Sequence, residues 1–234
     1  MPIRGFQGTS LLDCPGHISS IVFWGGCNLR CPFCHNAALV SHPEELAPFS
    51  EDDLLATLRE RIPFVDAVVM SGGEPTIAPE LPAFLRKLRA LPLHIKLDTN
   101  GLRPEILKAL LDEGLIDSVA LDVKTAPERY TELGGRPEDA SKLRESIRLV
   151  LELPETAREL RTTCVPGLVT EREIESIGKL IEGASCWFLQ QFAAEHAMEE
   201  ALRLKEPYSR EAMLHLAERA RRHVPDVRLR GVET

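Results

Sequence analysis

The sequence predicts an α/β protein built around a parallel sheet, and two patterns carry this prediction. Short apolar runs such as Ala67–Met70 and Ser118–Val123 suit strands that are buried on both faces. Amphipathic stretches of roughly 10–15 residues separate these runs, as expected for parallel strands joined by crossover helices. Six such units fit either a doubly wound sheet or an incomplete barrel, so the pattern alone leaves both architectures open.

The predicted elements follow one another from residue 19 to residue 230. Strands are expected over Ser19–Trp24, Ala67–Met70, His94–Asp98, Ser118–Val123, Leu160–Val165 and Cys186–Phe192, and Val227–Arg230 fits a short final strand. Helices are expected over Glu51–Arg61, Leu81–Leu91, Pro104–Glu113, Ala140–Glu152, Thr170–Glu182 and Ser209–His223. Ser50 is a good N-cap, Pro104 suits a first helical turn and Gly114 suits a C-cap.

The chain is predicted to form one domain over residues 1–234. Its 234 residues suffice for a substantial core, and no long linker, repeat or low-complexity segment interrupts them. The α/β core is expected over about 17–192, followed by a C-terminal helical extension over 193–234.

Charge and hydropathy exclude several classes of function. The net charge is −8, from 28 Lys and Arg against 36 Asp and Glu, which argues against a sequence-independent grip on nucleic acid. No apolar stretch reaches the roughly 18 residues of a membrane span, and the N-terminus has no signal-peptide h-region. A cytoplasmic location without membrane contact is therefore expected, where cysteines act as metal ligands or buried thiols more often than as disulfides.

Cys27, Cys31 and Cys34 form a C-x3-C-x2-C run directly after the first predicted strand. Three thiolates this close can ligate three irons of a cubane cluster and leave the fourth iron open. A zinc site is one alternative, although zinc sites usually pair cysteines at wider separations, and the adjacent His35 is poorly placed to share one tetrahedral ion with Cys34. Inert buried thiols are the other. The spacing favours an iron–sulfur cluster.

Further polar motifs follow the next three predicted strands. They are Ser71-Gly72-Gly73-Glu74-Pro75, Asp98-Thr99-Asn100-Gly101 and Asp122-Val123-Lys124. The carboxyl ends of parallel strands form the functional edge of α/β sheets, so these motifs and the cysteines are expected at one edge. Taken singly, each also has a structural explanation: a Gly-Gly turn, an Asx cap at Asn100, and a surface pair between Asp122 and Lys124.

Together, these motifs resemble those of the radical S-adenosylmethionine superfamily. The triplet with an aromatic residue, Phe33, before its third cysteine resembles the superfamily signature, and Gly72-Gly73-Glu74-Pro75 resembles its GGEP motif. The resemblance implies a partial (β/α)6 TIM-like barrel, one [4Fe–4S] cluster on Cys27, Cys31 and Cys34, and S-adenosylmethionine cleaved to a 5′-deoxyadenosyl radical. Backbone at Gly72 and Gly73, with Glu74, would hold the methionine amino group.

Cys34-His35-Asn36 resembles more narrowly the activases of glycyl radical enzymes. In that family, the backbone around the aromatic residue and the histidine contacts adenine, which implies cofactor contacts at Phe33, Cys34 and His35. The two later motifs resemble strand ends of the same activases. They imply ribose and carboxylate contacts from Asp98, Asn100, Asp122, Val123 and Lys124, with Lys124 neutralising the cofactor carboxylate. The resemblance also implies a monovalent cation held by Asp98, Thr99 and Asp122.

Two further residues enter with this resemblance. Asp13, in an Asp-x-Pro-Gly segment ahead of the first predicted strand, is a weak candidate for a substrate contact, with a simple turn as the alternative. Gln191 lies at the end of the last cofactor-binding strand, where a pyruvate formate-lyase activase would carry histidine, and it is expected to contact the cofactor instead.

The remaining cysteines, Cys14, Cys164 and Cys186, stand singly. No cysteine lies between Cys34 and Ser71, so an auxiliary cluster is not expected there. Cys164 and Cys186 fall in predicted strands and are expected to be core thiols.

The resemblance implies a partner protein, a glycyl radical enzyme. The short activases of anaerobic ribonucleoside-triphosphate reductase are the subgroup that the chain resembles most, and flavodoxin or ferredoxin would supply the electron. Two alternatives stay open: a radical enzyme acting on a small molecule or on another protein or peptide, and a non-catalytic iron–sulfur or zinc module.

Overall fold

The computed structural model describes residues 2–232. The chain divides into two compact units. The first unit comprises residues 2–28, 36–99 and 105–119, and the second comprises residues 29–35, 100–104 and 120–232.

Eight strands form a mostly parallel sheet whose strand order follows the chain order. The strands are β1 (Ile3–Ser10), β2 (Ser19–Trp24), β3 (Ala67–Gly72), β4 (His94–Thr99), β5 (Ser118–Asp122), β6 (Arg158–Cys164), β7 (Cys186–Gln191) and β8 (Asp226–Arg230). All six expected strands occur, and the short final strand is confirmed as β8. The predicted α/β class is therefore confirmed.

Eight α-helices accompany the described strands. They are α1 (Ala37–Ser41), α2 (Glu51–Arg61), α3 (Leu81–Leu88), α4 (Pro104–Asp112), α5 (Asp139–Leu151), α6 (Glu171–Leu180), α7 (Glu200–Arg203) and α8 (Arg210–Ala220). The Ser50 side chain accepts from the backbone N–H of Asp53, so the predicted N-cap is confirmed. Among residues 2–232, no helix is both long and apolar enough to cross a membrane.

In the first unit, β1 pairs antiparallel with β2, and β2, β3 and β4 pair in parallel. The apolar-run pattern does not predict β1, because its sequence Ile-Arg-Gly-Phe-Gln-Gly-Thr-Ser mixes polar residues and glycines and most of its positions are partly exposed. The other three strands are mostly buried, as expected for the interior of a parallel sheet.

The two faces of this first-unit sheet pack differently. Trp24 of β2 contacts Phe84 of α3 edge to face, with ring centroids 5.8 Å apart. Ile21 and Val69 form a cluster with Cys14, which lies in the segment between β1 and β2. The 11–17 segment therefore covers part of the sheet and is more than a simple connection.

In the second unit, β6, β7 and β8 pair in parallel. The indole N–H of Trp187 donates to the Thr162 hydroxyl at 3.0 Å, and that hydroxyl donates to the carbonyl oxygen of Val123 at 2.8 Å. Because buried polar groups need partners, this relay fixes the backbone just after β5 against β6 and β7.

Candidate active site

The carboxyl ends of β2, β3 and β4 lie at one edge of the first unit, because these strands run in parallel. Trp24 and Gly72 end β2 and β3 and are paired in register. Cys27 follows Trp24 closely, and Asp98 and Thr99 end β4. The first-unit motifs therefore arrive at the predicted edge.

The Gly72–Gly73 turn packs against the segment that leads from β2 to Cys27. Gly72 has φ +118°, and a Cβ added there would lie 2.4 Å from the backbone nitrogen of Trp24. A Cβ on Gly73 would lie 1.9 Å from the carbonyl oxygen of Gly26. These distances leave no room for a side chain, so both glycines are required by protein packing before any ligand is considered.

Hydrogen bonds join this turn to the segments on both sides of the cysteine run. The N–H of Gly73 donates to the Trp24 carbonyl at 2.9 Å, and the N–H of Glu74 donates to the Gly26 carbonyl at 2.8 Å. The Asn36 side chain donates to the Gly72 carbonyl at 3.1 Å. Asn36, noted in the sequence as part of Cys-His-Asn, thus supports the glycine turn.

Glu74 is 1% exposed and held by three donors on one carboxylate oxygen. Its Oε1 accepts from the N–H of Thr76 at 3.1 Å, from the Thr76 hydroxyl at 2.6 Å and from the Thr99 hydroxyl at 2.7 Å. The Thr99 contact shows that the ends of β3 and β4 meet within this unit. Such a network fixes the orientation of the carboxylate.

Asp98 and Asp13 both lie near Lys96 of β4. Lys96 and Asp98 are buried and form an ion pair at 3.2 Å. Lys96 also donates to the backbone carbonyl of Asp13 at 2.5 Å, and the Asp13 carboxylate accepts from the Ser10 hydroxyl. Asp13 therefore has a structural role in the turn after β1, and its contact with substrate stays a prediction.

In the second unit, backbone contacts hold the loop that carries Cys31 and Cys34. The N–H of Cys34 donates to the Cys31 carbonyl at 3.0 Å, so the two cysteines share one tight turn. The N–H of Arg30 donates to Leu133, and Pro32 accepts from the N–H of Glu199 at 2.8 Å. Burial raises the pKa of the Cys31 thiol to about 11, against the opposing effect of the Lys124 charge.

Asp122 ends β5 and lies between two cationic side chains. Arg161 of β6 donates to its two carboxylate oxygens at 2.9 and 3.2 Å, and Lys124 donates at 3.1 Å. Burial alone would raise the pKa of Asp122, but the Arg161 and Lys124 charges outweigh burial and hold that pKa well below its usual range. The sequence-based reasoning missed Arg161, although an arginine in a buried strand was a signal.

His35 packs against a residue that the sequence did not indicate. The rings of His35 and His196 lie edge to face with centroids 5.8 Å apart. Burial, and then the neighbouring His196, lowers the pKa of His35. His196 lies in a short turn after β7 and could not be paired with His35 from sequence, because more than a hundred residues separate them.

The other predicted contacts of the second unit occupy defined positions. Phe33 and Val123 are buried. Asn100 accepts from the N–H of Leu102 at 3.0 Å, which is the Asx-turn geometry given above as its structural explanation. The Gln191 amide donates to the Tyr208 carbonyl at 2.6 Å, while its buried Oε1 has no hydrogen-bond partner among the described atoms.

None of the six cysteines is in a disulfide within the described residues. Cys164 is buried, as predicted, and burial raises the pKa of its thiol to about 12. Cys186 is only partly buried, so its prediction as a core thiol is wrong. It begins β7, where the strand is still partly open to solvent.

Comparisons with known proteins agree with this fold and these motifs. A model of the radical SAM superfamily matches residues 21–181. A protein of Methanocaldococcus jannaschii named "Putative glycyl-radical enzyme activating enzyme MJ1227" is 31% identical over 98% of this chain and 96% of its own length. The pyruvate formate-lyase-activating enzyme of Clostridium pasteurianum is 34% identical over 52% of each chain.

A solved structure shows the same fold at low identity. The structure of Streptococcus suis SuiB bound to precursor peptide SuiA matches 90% of this chain and 48% of SuiB, with a TM-score of 0.64 and 18% identity. The α/β fold, the motifs and the family match lead to one conclusion: the chain belongs to the radical S-adenosylmethionine superfamily.

Membership of this family implies a [4Fe–4S] cluster and S-adenosylmethionine as cofactors. The described residues fit both groups by the chemistry of their donors. Thiolates are the usual ligands of cluster iron, and Cys27, Cys31 and Cys34 are the residues that would supply three of them. The acceptor-rich turn at Gly73 and Glu74 suits an amino group, and the cationic Lys124 suits a carboxylate.

Proposed function

We propose that this chain is a glycyl-radical-enzyme activase whose partner is anaerobic ribonucleoside-triphosphate reductase. The main support is the near-full-length similarity to the M. jannaschii protein, together with Cys34-His35-Asn36 closing the cysteine run. The bound cofactors supply the reaction, reductive cleavage of S-adenosylmethionine followed by hydrogen abstraction from a glycine Cα of the partner. Flavodoxin or ferredoxin is the proposed electron donor.

Cys27, Cys31 and Cys34 are the proposed cluster ligands. Cys31 and Cys34 share the turn described above, and its hydrogen bonds to Leu133 and Glu199 backbones restrain it. A restrained loop presents thiols with little entropy left to lose on metal binding, which supports their role as ligands.

The Gly72–Glu74 turn is the proposed site of the methionine amino group. The N–H groups of Gly73 and Glu74 are both engaged by backbone carbonyls, so the turn offers acceptors and not donors. An amino group is a donor, whereas a carboxylate or phosphate would need the N–H groups. With Glu74 as the nearby carboxylate, this polarity supports amino-group binding.

Lys124 is the proposed partner of the cofactor carboxylate. Arg161 and Lys124 flank the single carboxylate of Asp122, so this trio carries a net positive charge of about one. Burial would lower the pKa of Lys124, but the charge of Asp122 outweighs this effect and keeps that pKa above its usual value. A permanently charged trio can accept an anion without a change in protonation.

Contacts to the adenosine moiety are proposed for Phe33, Cys34, His35, Asp98, Asn100 and Val123. Gln191 joins them because its buried Oε1 has no partner among the described atoms, and an unsatisfied acceptor is costly unless a ligand donor fills it. We also propose a monovalent cation bound by Asp98, Thr99 and Asp122. Two of these side chains already have protein partners, because Thr99 donates to Glu74 and Asp122 accepts from Arg161. The cation would therefore share their oxygen atoms with these hydrogen bonds.

Anaerobic incubation of reduced protein with S-adenosylmethionine and the reductase tests the proposal. The expected result is 5′-deoxyadenosine together with a glycyl EPR doublet on the reductase. Two controls should give no doublet: Cys31→Ala in this chain, and a reductase whose radical glycine is replaced by alanine. Cofactor cleavage without a doublet on any glycyl radical enzyme would contradict the activase proposal and favour a small-molecule or peptide substrate.

A further inference from the structure

Three potential metal ligands lie together at the opposite edge of the first-unit sheet. One ligating atom from each of Cys14, His17 and His94 lies within 4.8 Å of the other two. His17 comes just before β2, and His94 is the first residue of β4. Since β4 spans six residues, this group is about 16 Å along the strand from the Thr99 end. The proposed activase chemistry uses none of the three side chains.

Backbone and packing contacts hold these residues in place. The N–H of His17 donates to the Cys14 carbonyl at 3.0 Å, which closes a turn. Cys14 is 3% exposed and packs on the cluster containing Ile21 and Val69. The rings of His17 and His94 are stacked, with centroids 4.6 Å apart and planes inclined by 19°.

Each histidine has a partner on one ring nitrogen. His17 Nδ1 lies 3.0 Å from Asp66 Oδ2, and His94 Nε2 lies 2.7 Å from the Ser118 hydroxyl. The other ring nitrogen, Nε2 of His17 and Nδ1 of His94, would then be the coordinating atom. Metal-bound histidines in proteins almost always have such an outer partner, which sets the tautomer and the ring orientation.

Asp66 is held by a backbone hydrogen bond, and it lines a cavity that reaches His17. Asp66 Oδ1 accepts from the N–H of Ile18 at 2.9 Å, so the carboxylate that orients His17 is itself fixed. A cavity of about 440 Å³ is lined by residues 16–18 and 62–66 and reaches His17.

We propose that Cys14, His17 and His94 form a binding site for a divalent transition metal of the zinc type, separate from the cluster. One thiolate and two imidazoles are a typical three-ligand set for Zn²⁺, with water as the fourth ligand. Tetrahedral zinc places its ligands roughly 3.3–3.8 Å apart, and an imidazole binds metal in the plane of its ring, so binding requires one of the two stacked histidine rings to rotate out of the stack. Binding releases the Cys14 thiol proton to solvent and ties the 11–17 segment to β4.

Metal analysis of the anaerobically purified holoprotein tests this site. After incubation with Zn²⁺ and dialysis, about one zinc per chain is expected, on top of unchanged cluster iron. Replacing Zn²⁺ with Co²⁺ should give the near-ultraviolet absorption of a cobalt–thiolate bond. A Co²⁺ complex without that absorption would exclude Cys14 as a ligand and overturn the proposal.

Variants separate this site from the cluster. Cys14→Ser and His94→Gln should each weaken zinc binding at least about tenfold and leave the iron content unchanged. His17→Gln, at a partly exposed position, serves if Cys14→Ser does not fold. His42→Gln is the matched control, because His42 lies with Glu44 and Glu45 in an exposed acidic group and should not alter binding.

A variant without the proposed cluster ligands tests the remaining alternative, which is that zinc binds to the cluster cysteines. With Cys27, Cys31 and Cys34 all replaced by alanine, zinc should still bind with wild-type stoichiometry. Zinc that survives Cys14→Ser but disappears from the triple variant would show that the metal occupies the cluster cysteines, and the proposed site would be wrong. Neither result depends on activase activity, so the two proposals fail independently.

Discussion

The backbone N–H of Glu74 donates to the carbonyl oxygen of Gly26 at 2.8 Å. This single bond joins the turn after β3 to the residue that directly precedes Cys27. Because the turn has no room for a Cβ, a displacement of either segment must move the other. The turn that forms the proposed amino-group site and the segment that leads to the first proposed cluster ligand are therefore coupled in position within the first unit.

Gly73→Ala should disrupt the coupling between the turn after β3 and the segment that precedes Cys27. Its Cβ would lie 1.9 Å from the Gly26 oxygen, so the Glu74–Gly26 bond cannot persist, and we expect a loss of at least about 2 kcal/mol in unfolding free energy together with reduced iron content. Chemical denaturation and iron analysis measure both effects.

Gly114→Ala is the matched control for this substitution. Gly114 has φ +64° and nothing within 4 Å of an added Cβ, so only backbone strain of about 1 kcal/mol is expected, with normal iron. Equal effects of the two substitutions would show that packing against Gly26 is unimportant.

Cys31→Ala should abolish cluster-dependent cleavage of S-adenosylmethionine. The wild-type chain is expected to carry about four irons after anaerobic reconstitution, and loss of one of three thiolate ligands should remove most of them. Iron and sulfide assays measure the content. Cys186→Ser, at the partly buried start of β7, should retain the cluster. Full iron content and cleavage in Cys31→Ala would refute its assignment as a ligand.

Asp122→Asn should destabilise the protein, because it leaves Arg161 and Lys124 without their shared carboxylate. We expect a loss of at least about 2 kcal/mol, since removing one member of a largely buried charge network leaves the others uncompensated. A double-mutant cycle with Arg161→Gln should give a coupling above about 1 kcal/mol.

The control for this cycle is the exposed pair Lys108–Asp112 on α4. Lys108→Gln should change the unfolding free energy by less than about 0.5 kcal/mol, because the pair is solvated and interacts through one helical turn. A coupling energy near zero between Asp122 and Arg161 would mean that their contact is equally unimportant.

Stability should fall in mildly acidic solution because of His94. Burial lowers its pKa in the folded protein, whereas the unfolded chain titrates near 6.5, so below that pH the unfolded state binds more protons. The His94 contribution is thus complete above about pH 6.5 and is lost as the pH falls through the folded pKa. Urea unfolding with a zinc chelator present should show a smaller acid loss in His94→Gln. Parallel pH profiles for variant and wild type would contradict this.

Local patterns predicted most of the sheet but not the contacts between distant segments. Apolar runs located β2 to β7 because each is buried in a parallel sheet, whereas β1 mixes polar residues and glycines and escaped notice. Gly72 and Gly73 were correctly singled out, but the protein contact that requires them, with Trp24 and Gly26, depends on strand register and not on local sequence.

Prediction of the candidate site from sequence has the same limit, because it does not reveal contacts between distant segments. Asp122 and Lys124 could be named from a motif of three residues, but Arg161 reaches Asp122 from a strand 39 positions away. His35 was named from the cysteine run, whereas its neighbour His196 comes from a turn after β7. Sequence reasoning therefore found residues that belong to compact motifs and missed those brought in by tertiary packing.

The antiparallel pairing of β1 with β2 affects how the chain folds while it emerges from the ribosome. With β2 it completes a hairpin by Trp24, before β3 and β4 have been synthesised. Strand order then follows chain order through β3 and β4, so each arriving strand meets an edge that is already present. Local pairing of this kind costs little loop-closure entropy, whereas parallel pairing alone would have to wait for distant segments. The strand least visible in the sequence can thus serve as the template on which the first unit assembles during translation.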